Sequence, residues 1–376
     1  MSVEIRALQP TRSQLRKFAR FGIDLYEGNP YYVPALIHDD VNTLSPKVNP
    51  AFDFCEAQCF MAYRDGKPVG RIAGIINNAV NGRTGQKTLR FGFVDFIDDT
   101  EVVDALFDAC AAWGKERGMD SMLGPMGFTD MDHEGMLVEG FDQLGTMATI
   151  YNHPYYPRHM ERMGFTPEAE WVEMAIKIPD SIPDKYARVA EIVKTRNNLK
   201  VLKFTSRKKI KEQYGVALFE LINEAYDQLY GYSPLTPRQI DYYIDMYLGI
   251  LNLDFVTVVV DSEDRLVAVG ISIQSFSKAL QKARGRLLPT GWWHLLQTLR
   301  GKSDIVDLLL IAVKPEYQNK GVNALLFTDL IPHYIKAGFK YAETNPELAG
   351  NDKVRGQWDY FDTRLHKRRR SFRRPL

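Results

Sequence analysis

The sequence is short of cysteine, of long apolar runs and of net charge. Only Cys55, Cys59 and Cys110 occur in 376 residues, an odd number without metal-ligand spacing. That argues against a disulfide framework and predicts core thiols in a reducing compartment. No stretch approaches the roughly 20 apolar residues of a membrane span, and the opening MSVEIRALQP has no apolar signal core. A cytoplasmic protein is expected, with the inner membrane face as the place for any peripheral contact. The 48 Lys and Arg nearly cancel the 47 Asp and Glu, so no global field points to nucleic acid.

What is present is a hydrophobic fraction of 45% in a chain longer than one core usually supports, which predicts two domains. The order of elements repeats. A strand at Val3 to Leu8 and an amphipathic helix from Thr11 to Tyr26 are echoed by Lys200 to Phe204 and Ile210 to Tyr226. A hairpin, Phe60 to Tyr63 and Val69 to Ile76 around Asp65-Gly66, is matched by Phe255 to Val260 and Leu266 to Ile273. Central strands follow at Phe91 to Ile97 and Val306 to Val313. Each leads to a helix ending near a glycine, Gly118 or Gly338, and then to a strand, Ser121 to Leu123 or Tyr341 to Thr344. Shorter helices are expected near His153 to Met163 and Asn351 to Phe361. The predicted class is α/β (α+β by some schemes): two tandem domains, 1–180 and 200–376, each a mixed twisted sheet flanked by helices, with a linker helix over 181–199.

The most specific local pattern is Lys314 to Leu325, between a buried strand and a helix. A glycine-bearing turn at a helix start gathers backbone N–H groups and the positive dipole end, which suits a diphosphate. Gly321 would let backbone approach the ligand without a Cβ in the way. With Gln318, Gly321 and Asn323 at the signature positions, the segment resembles the acyl-CoA motif of the GNAT superfamily, although Asn323 replaces the usual small residue. The resemblance implies acyl-CoA or acetyl-CoA as co-substrate. It places Ile311, Ala312 and Val313 at the thioester, Gln318, Asn319, Lys320, Gly321, Val322 and Asn323 at the diphosphate, and Asn351 beside them. In the first half, Ile97-Asp98-Asp99-Thr100-Glu101 puts acids where phosphate would sit, which predicts a degenerate copy.

Acyl transfer to an amine needs a base, a polarised carbonyl and a proton for the thiolate. His133 and Glu134, in the polar loop after the first half's late strand, and Glu343 on the second half's late strand are candidate bases. The superfamily often uses a tyrosine as acid. The expected position holds Trp358, leaving Tyr360 as the candidate. No metal is expected, since His133 and Asp130 have no second ligand cluster.

Through Gly124-Pro125, Glu134-Gly135-Met136-Leu137, Gly140-Phe141, Tyr151-Asn152-His153-Pro154-Tyr155-Tyr156 and Gly164-Phe165 the chain resembles a tandem GNAT group to which bacterial ceramide synthases look similar. That implies a long-chain acyl donor and a lipid amine acceptor. The expected activity is therefore N-acyl transfer to a small or lipid-borne amine, against a non-catalytic acyl-CoA or lipid-binding scaffold. Residues 275–303 hold Lys278, Lys282, Arg284, Arg286, Arg300 and Lys302 without an acid, among Leu287, Leu288, Trp292, Trp293, Leu295, Leu296 and Leu299. They suit a membrane interface or a lid over a lipid chain. The basic C-terminus, Arg364 to Leu376, is a second cationic element for headgroups or phosphates. It alone supports a tRNA-dependent peptidyl transferase, and nothing else resembles a nucleic-acid module.

Overall fold

A computed structural model describes residues 2–247, 249–301, 303–351 and 356–376. In chain order the elements are β1 (Glu4–Ala7), α1 (Arg12–Leu25), α2 (Ile37–Thr43), β2 (Cys55–Arg64), β3 (Lys67–Asn77), α3 (Asn78–Thr84), β4 (Thr88–Phe96), α4 (Thr100–Glu116), β5 (Ser121–Gly124), β6 (Met136–Glu139), α5 (Tyr155–Arg162), β7 (Thr166–Lys177) and α6 (Asp184–Arg196). They continue with β8 (Lys200–Leu202), α7 (Arg207–Tyr226), α8 (Pro237–Tyr247), β9 (Val256–Val260), β10 (Leu266–Gln274), α9 (Ser277–Ala283), α10 (Gly291–Arg300), β11 (Ile305–Val313), α11 (Asn323–Ala337), β12 (Tyr341–Thr344), β13 (Glu347–Leu348) and β14 (Thr363–Pro375). The expected helix near Asn351 to Phe361 falls partly outside the described residues; a single 3-10 turn, Gly356–Trp358, stands in its described part.

The chain forms two compact units, Met1–Val172 with Phe276–Gln297 and His366–Leu376, and Glu173–Ser275 with Thr298–Leu365. These differ from a simple cut at residues 180 to 200. Helix α6, expected as a linker, buries Ala190 and Val193 in the core of the second unit. The segment between β10 and β11 and the end of β14 both belong to the first.

In the first unit the sheet runs β1-β2-β3-β4-β5-β14-β7, with β4 and β5 parallel. The β2–β3 hairpin turns through Asp65 and Gly66, both with positive φ, as an Asp-Gly turn requires. Thr11 caps α1 by accepting from the Gln14 N–H. Helix α4 lays Val103, Leu106, Phe107 and Cys110 against Phe91 and Phe96 of β4. All three cysteines are buried and free, and burial pushes the Cys55 and Cys59 thiols up to about 12.

The basic C-terminus is not a solvated tail. It is β14, antiparallel to β5 from Phe372↔Gly124 to Pro375↔Ser121. Lys367 and Arg369 are buried. Arg370 reaches Glu170 at 2.6 Å and Arg373 reaches Glu168 at 3.0 Å, while Arg368 pairs with Glu170 and Glu139. These carboxylates pair with three of the cations that the sequence offered to headgroups or nucleic acid.

In the second unit the sheet order is β7-β12-β11-β10-β9-β8, with β7 passing from one unit into the other. Strand β11 is nearly all Ile, Leu and Val because α7 lies over one face of the sheet and α11 over the other. Helix α11 buries Leu326, Phe327, Leu330 and Ile331 and stops at Gly338 in the left-handed conformation.

Candidate functional site

The second unit's site is built by a mismatch of strand lengths. Parallel pairing of β11 with β12 ends at Leu308↔Thr344, whereas antiparallel pairing with β10 continues to Val313↔Ala268. From Leu309 to Val313, alternate peptide groups therefore face a gap instead of a neighbouring strand. Three side chains cap the exposed carbonyls. Asn345 Nδ2 donates to Leu309 O at 2.7 Å, Tyr226 Oη to Ile311 O at 2.9 Å, and Gln318 Nε2 to Val313 O at 3.1 Å. Buried carbonyls need such partners, and side-chain partners, unlike a paired strand, can be exchanged for a ligand amide.

Beyond Val313 the chain makes a 3-10 turn, Pro315–Tyr317, and passes through Asn319 and Gly321 at φ +60° and +79°. Helix α11 then begins without a side-chain cap. The N–H groups of Ala324 and Leu325 bond to Gly321 O and Val322 O, while those of Gly321, Val322 and Asn323 precede any intrahelical acceptor. Lys314 and Lys320 flank this turn.

Two details differ from expectation. A Cβ on Gly321 would stand 2.8 Å from Val189 and 3.2 Å from Val193 of α6, so its missing side chain makes room for α6. Asn323 turns away from the helix start to donate to Gln357 Oε1 at 3.1 Å, tying α11 to the turn at Gly356–Trp358. Asn351 donates its backbone N–H to Leu348 O at 2.9 Å.

Behind the gap lies an apolar cavity of about 30 Å³. Gly270, Leu308, Leu310 and Ala342 line it from the sheet, and Phe327 and Leu330 from α11. Trp358 is buried beside it, with its Nε1 donating to Glu347 at 2.9 Å. Tyr360 is 52% exposed, and Lys185 lies over its ring at 3.5 Å and donates to its hydroxyl. That lysine holds the phenol at the surface. Glu343 is buried on β12, in register with Asp307 and Ala175.

Tyr226 was missed as a site residue. It is the last residue of α7, and only its contact with Ile311, far along the chain, reveals its position. The caps on β11 are equally invisible to spacing rules.

His133 and Glu134 stand side by side in the first unit, in the loop between β5 and β6. His133 Nε2 bonds to Met147 O at 3.0 Å. Burial, reinforced by Asp130, pushes the Glu134 carboxyl up to about 8. Burial likewise raises Asp132 to about 6, although its carboxylate accepts from the Phe128 and Thr129 N–H groups at 2.8 and 3.1 Å. The Glu134 carboxyl is therefore held above the ordinary carboxylate range.

The first unit has the same mismatch, since β4 pairs with β5 only to Arg90↔Leu123 but with β3 as far as Phe96↔Gly70, and there too the exposed groups find partners outside a neighbouring strand. Phe91 O accepts from the Met126 N–H at 2.8 Å. Tyr155 Oη donates to Phe96 O at 2.6 Å, and the Phe96 N–H donates to Tyr156 Oη at 3.0 Å. At the start of α4, Asp99 accepts from the Val102 N–H and pairs with Arg64 at 2.7 Å. A diphosphate there would meet carboxylates.

No protein-family model matches this chain. Among curated proteins it is 26% identical over 323 residues to protein YghO of Escherichia coli (strain K12), covering 85% of this chain and 81% of that one. It is 25% identical over 311 residues to the bacterial ceramide synthase of Caulobacter vibrioides (strain NA1000 / CB15N), covering 82% and 80%. Among solved structures, a tandem GNAT protein from the clavulanic acid biosynthesis pathway superposes with a TM-score of 0.58 at 11% identity, over 100% of this chain and 98% of that one. A GCN5-related N-acetyltransferase from Sphaerobacter thermophilus gives 0.52 at 11% identity, over 99% and 95%. The chain thus has the tandem GNAT fold. Its sequence is similar to that of a bacterial ceramide synthase.

Proposed function

We propose that this protein is an acyl-CoA-dependent N-acyltransferase whose donor binds in the second unit, along the unpaired stretch of β11. The observation that carries the reading is the run of three side-chain caps on Leu309, Ile311 and Val313. A pantetheine arm offers amides that can replace those caps. The N–H groups of Ile311 and Val313 then polarise the thioester carbonyl. The turn from Gln318 to Asn323, with Lys314 and Lys320, receives the diphosphate.

In the reaction the amine nitrogen attacks the thioester carbonyl carbon, the C–S bond breaks, and the thiolate sulfur takes a proton. Tyr226 supplies that proton, since burial raises its pKa and keeps the hydroxyl protonated. The base that frees the amine is a carboxylate, and Glu343, on β12 of the same unit, is the candidate. The likeness to a ceramide synthase supports a lipid amine as acceptor.

A scaffold that binds acyl-CoA without turnover is favoured by Trp358, which stands where the superfamily's tyrosine acid is expected and has no hydroxyl to donate, and by Asn323 in place of the usual small residue. Thiol release with a panel of acyl-CoAs and amines, sphingoid bases included, separates the readings. Amine-dependent release is expected. Thioester binding without release for any amine would leave the scaffold.

A further inference from the structure

The segment between β10 and β11 has two faces with different chemistry. Through α9 it is anchored within the first unit: Ser277 Oγ donates to Gly145 O at 2.9 Å, Gln281 Nε2 to Pro30 O at 2.8 Å, and the Ile37 N–H to Gly285 O at 2.9 Å. From Arg286 onward the chain turns outward. Leu288 is 75% exposed, Trp292 47% and Trp293 46%. Gly291 is the one buried residue of α10.

We propose that this protrusion inserts into the headgroup region of an anionic lipid bilayer. Exposed tryptophans and leucines on a firmly anchored element have no folding role that repays leaving them in water. Tryptophan in particular favours the membrane–water boundary, where its ring is half in the apolar phase. Charge selects a bilayer over an apolar protein groove. Arg284, Arg286 and Arg300 are exposed around the tryptophans, and 275–303 contains no carboxylate to repel phosphate. Arg284 has a single exposed partner, Glu27, at 3.6 Å. Lys302, counted with these cations in the sequence, lies outside the described residues. The basic C-terminus offers less, because Arg368, Arg370 and Arg373 are paired with Glu139, Glu170 and Glu168 and Lys367 and Arg369 are buried in the strand. The inference deepens the lipid-amine part of the proposed reaction, since an acceptor held in a bilayer must be met at its surface.

The test is vesicle co-sedimentation of the full-length chain with phosphatidylcholine alone and with vesicles enriched in phosphatidylglycerol, some carrying brominated acyl chains. Of the five tryptophans, Trp113, Trp171 and Trp358 are buried, so bromolipid quenching reports on Trp292 and Trp293. Sedimentation with the anionic vesicles, with quenching, is expected. Trp292→Ala/Trp293→Ala should weaken it about ten-fold or more, and Arg284→Gln and Arg286→Gln about five-fold each, with unchanged circular dichroism. Thiol release with a water-soluble amine should be unaffected in all of them, so a failure here is separable from a failure of the acyl-transfer reading. The proposal is overturned by the absence of sedimentation with either vesicle or by full sedimentation of the double-tryptophan variant. It is also overturned by self-association that the double variant abolishes without any vesicle binding, which would make a second copy the occupant.

Discussion

The hydroxyl of Tyr226, at the end of α7, donates to the carbonyl of Ile311 at 2.9 Å, fixing a buried phenol beside the stretch of β11 that β12 leaves unpaired. Removing only that hydroxyl tests its role. Tyr226→Phe should lower kcat for thiol release about a hundred-fold or more, the scale of a lost general acid, with little change in KM. A rise in KM at constant kcat would instead make Tyr226 a binding residue.

Glu343 is tested by substitution. Glu343→Gln should lower kcat for thiol release about a hundred-fold or more, the scale of a lost general base. Glu134, whose carboxyl burial raises to about 8, belongs to the first unit, and Glu134→Gln should retain activity; loss in that variant with Glu343→Gln active would contradict the assignment.

The same raised pKa has a stability consequence whose sign is fixed. Between the unfolded and folded pKa of Glu134 the native state holds a proton that the unfolded state has released, so stability falls as pH rises through that window. Denaturant unfolding should show the wild type losing stability from about pH 5 to pH 8 relative to Glu134→Gln. Parallel curves would contradict a Glu134 that stays protonated in the native state.

Gly321→Ala should cost about 1–2 kcal/mol from the left-handed backbone alone, with more from the 2.8 Å approach to Val189. Val189→Ala in the same chain should recover the steric part, measured as the shift in denaturation midpoint. Full recovery would mean that the positive φ carries no cost.

Glu170 holds the half-buried Arg368 and Arg370 against the first unit's sheet. Burial alone would raise its pKa, but the hydrogen bonds from Arg370 and Arg368 outweigh that and leave it below the ordinary value. Its contribution is therefore present above the unfolded pKa and lost as pH falls through the folded one. Glu170→Gln should destabilise by about 1–3 kcal/mol at neutral pH, and the difference from wild type should shrink in acid.

Much of the frame was readable from the sequence because it rests on local chemistry. The Asp65-Gly66 turn, the Thr11 cap and the Gly338 stop each have a cause within a few residues. The repeated element order followed, and with it the position of the turn at Gly321. The rest depended on partners far along the chain. Arg368, Arg370 and Arg373 read as a cationic element for headgroups or phosphates until Glu168 and Glu170 are brought beside them by β7. Gln318 matched a phosphate-binding signature, yet in the folded chain its amide caps Val313 O. Tyr226 was visible only as the end of a helix. Its chemistry appears once the shorter β12 leaves β11 unpaired, and strand-length mismatch has no mark in local spacing.

The central claim is that an acyl-CoA lies against the unpaired stretch of β11. Backbone hydrogen exchange, measured with and without a non-hydrolysable acyl-CoA thioether, tests it most directly. The account predicts slowed exchange at Ile311, Val313 and the start of α11, with Phe91 to Phe96 of β4 unchanged. Protection confined to β4, or none in either unit, would contradict it.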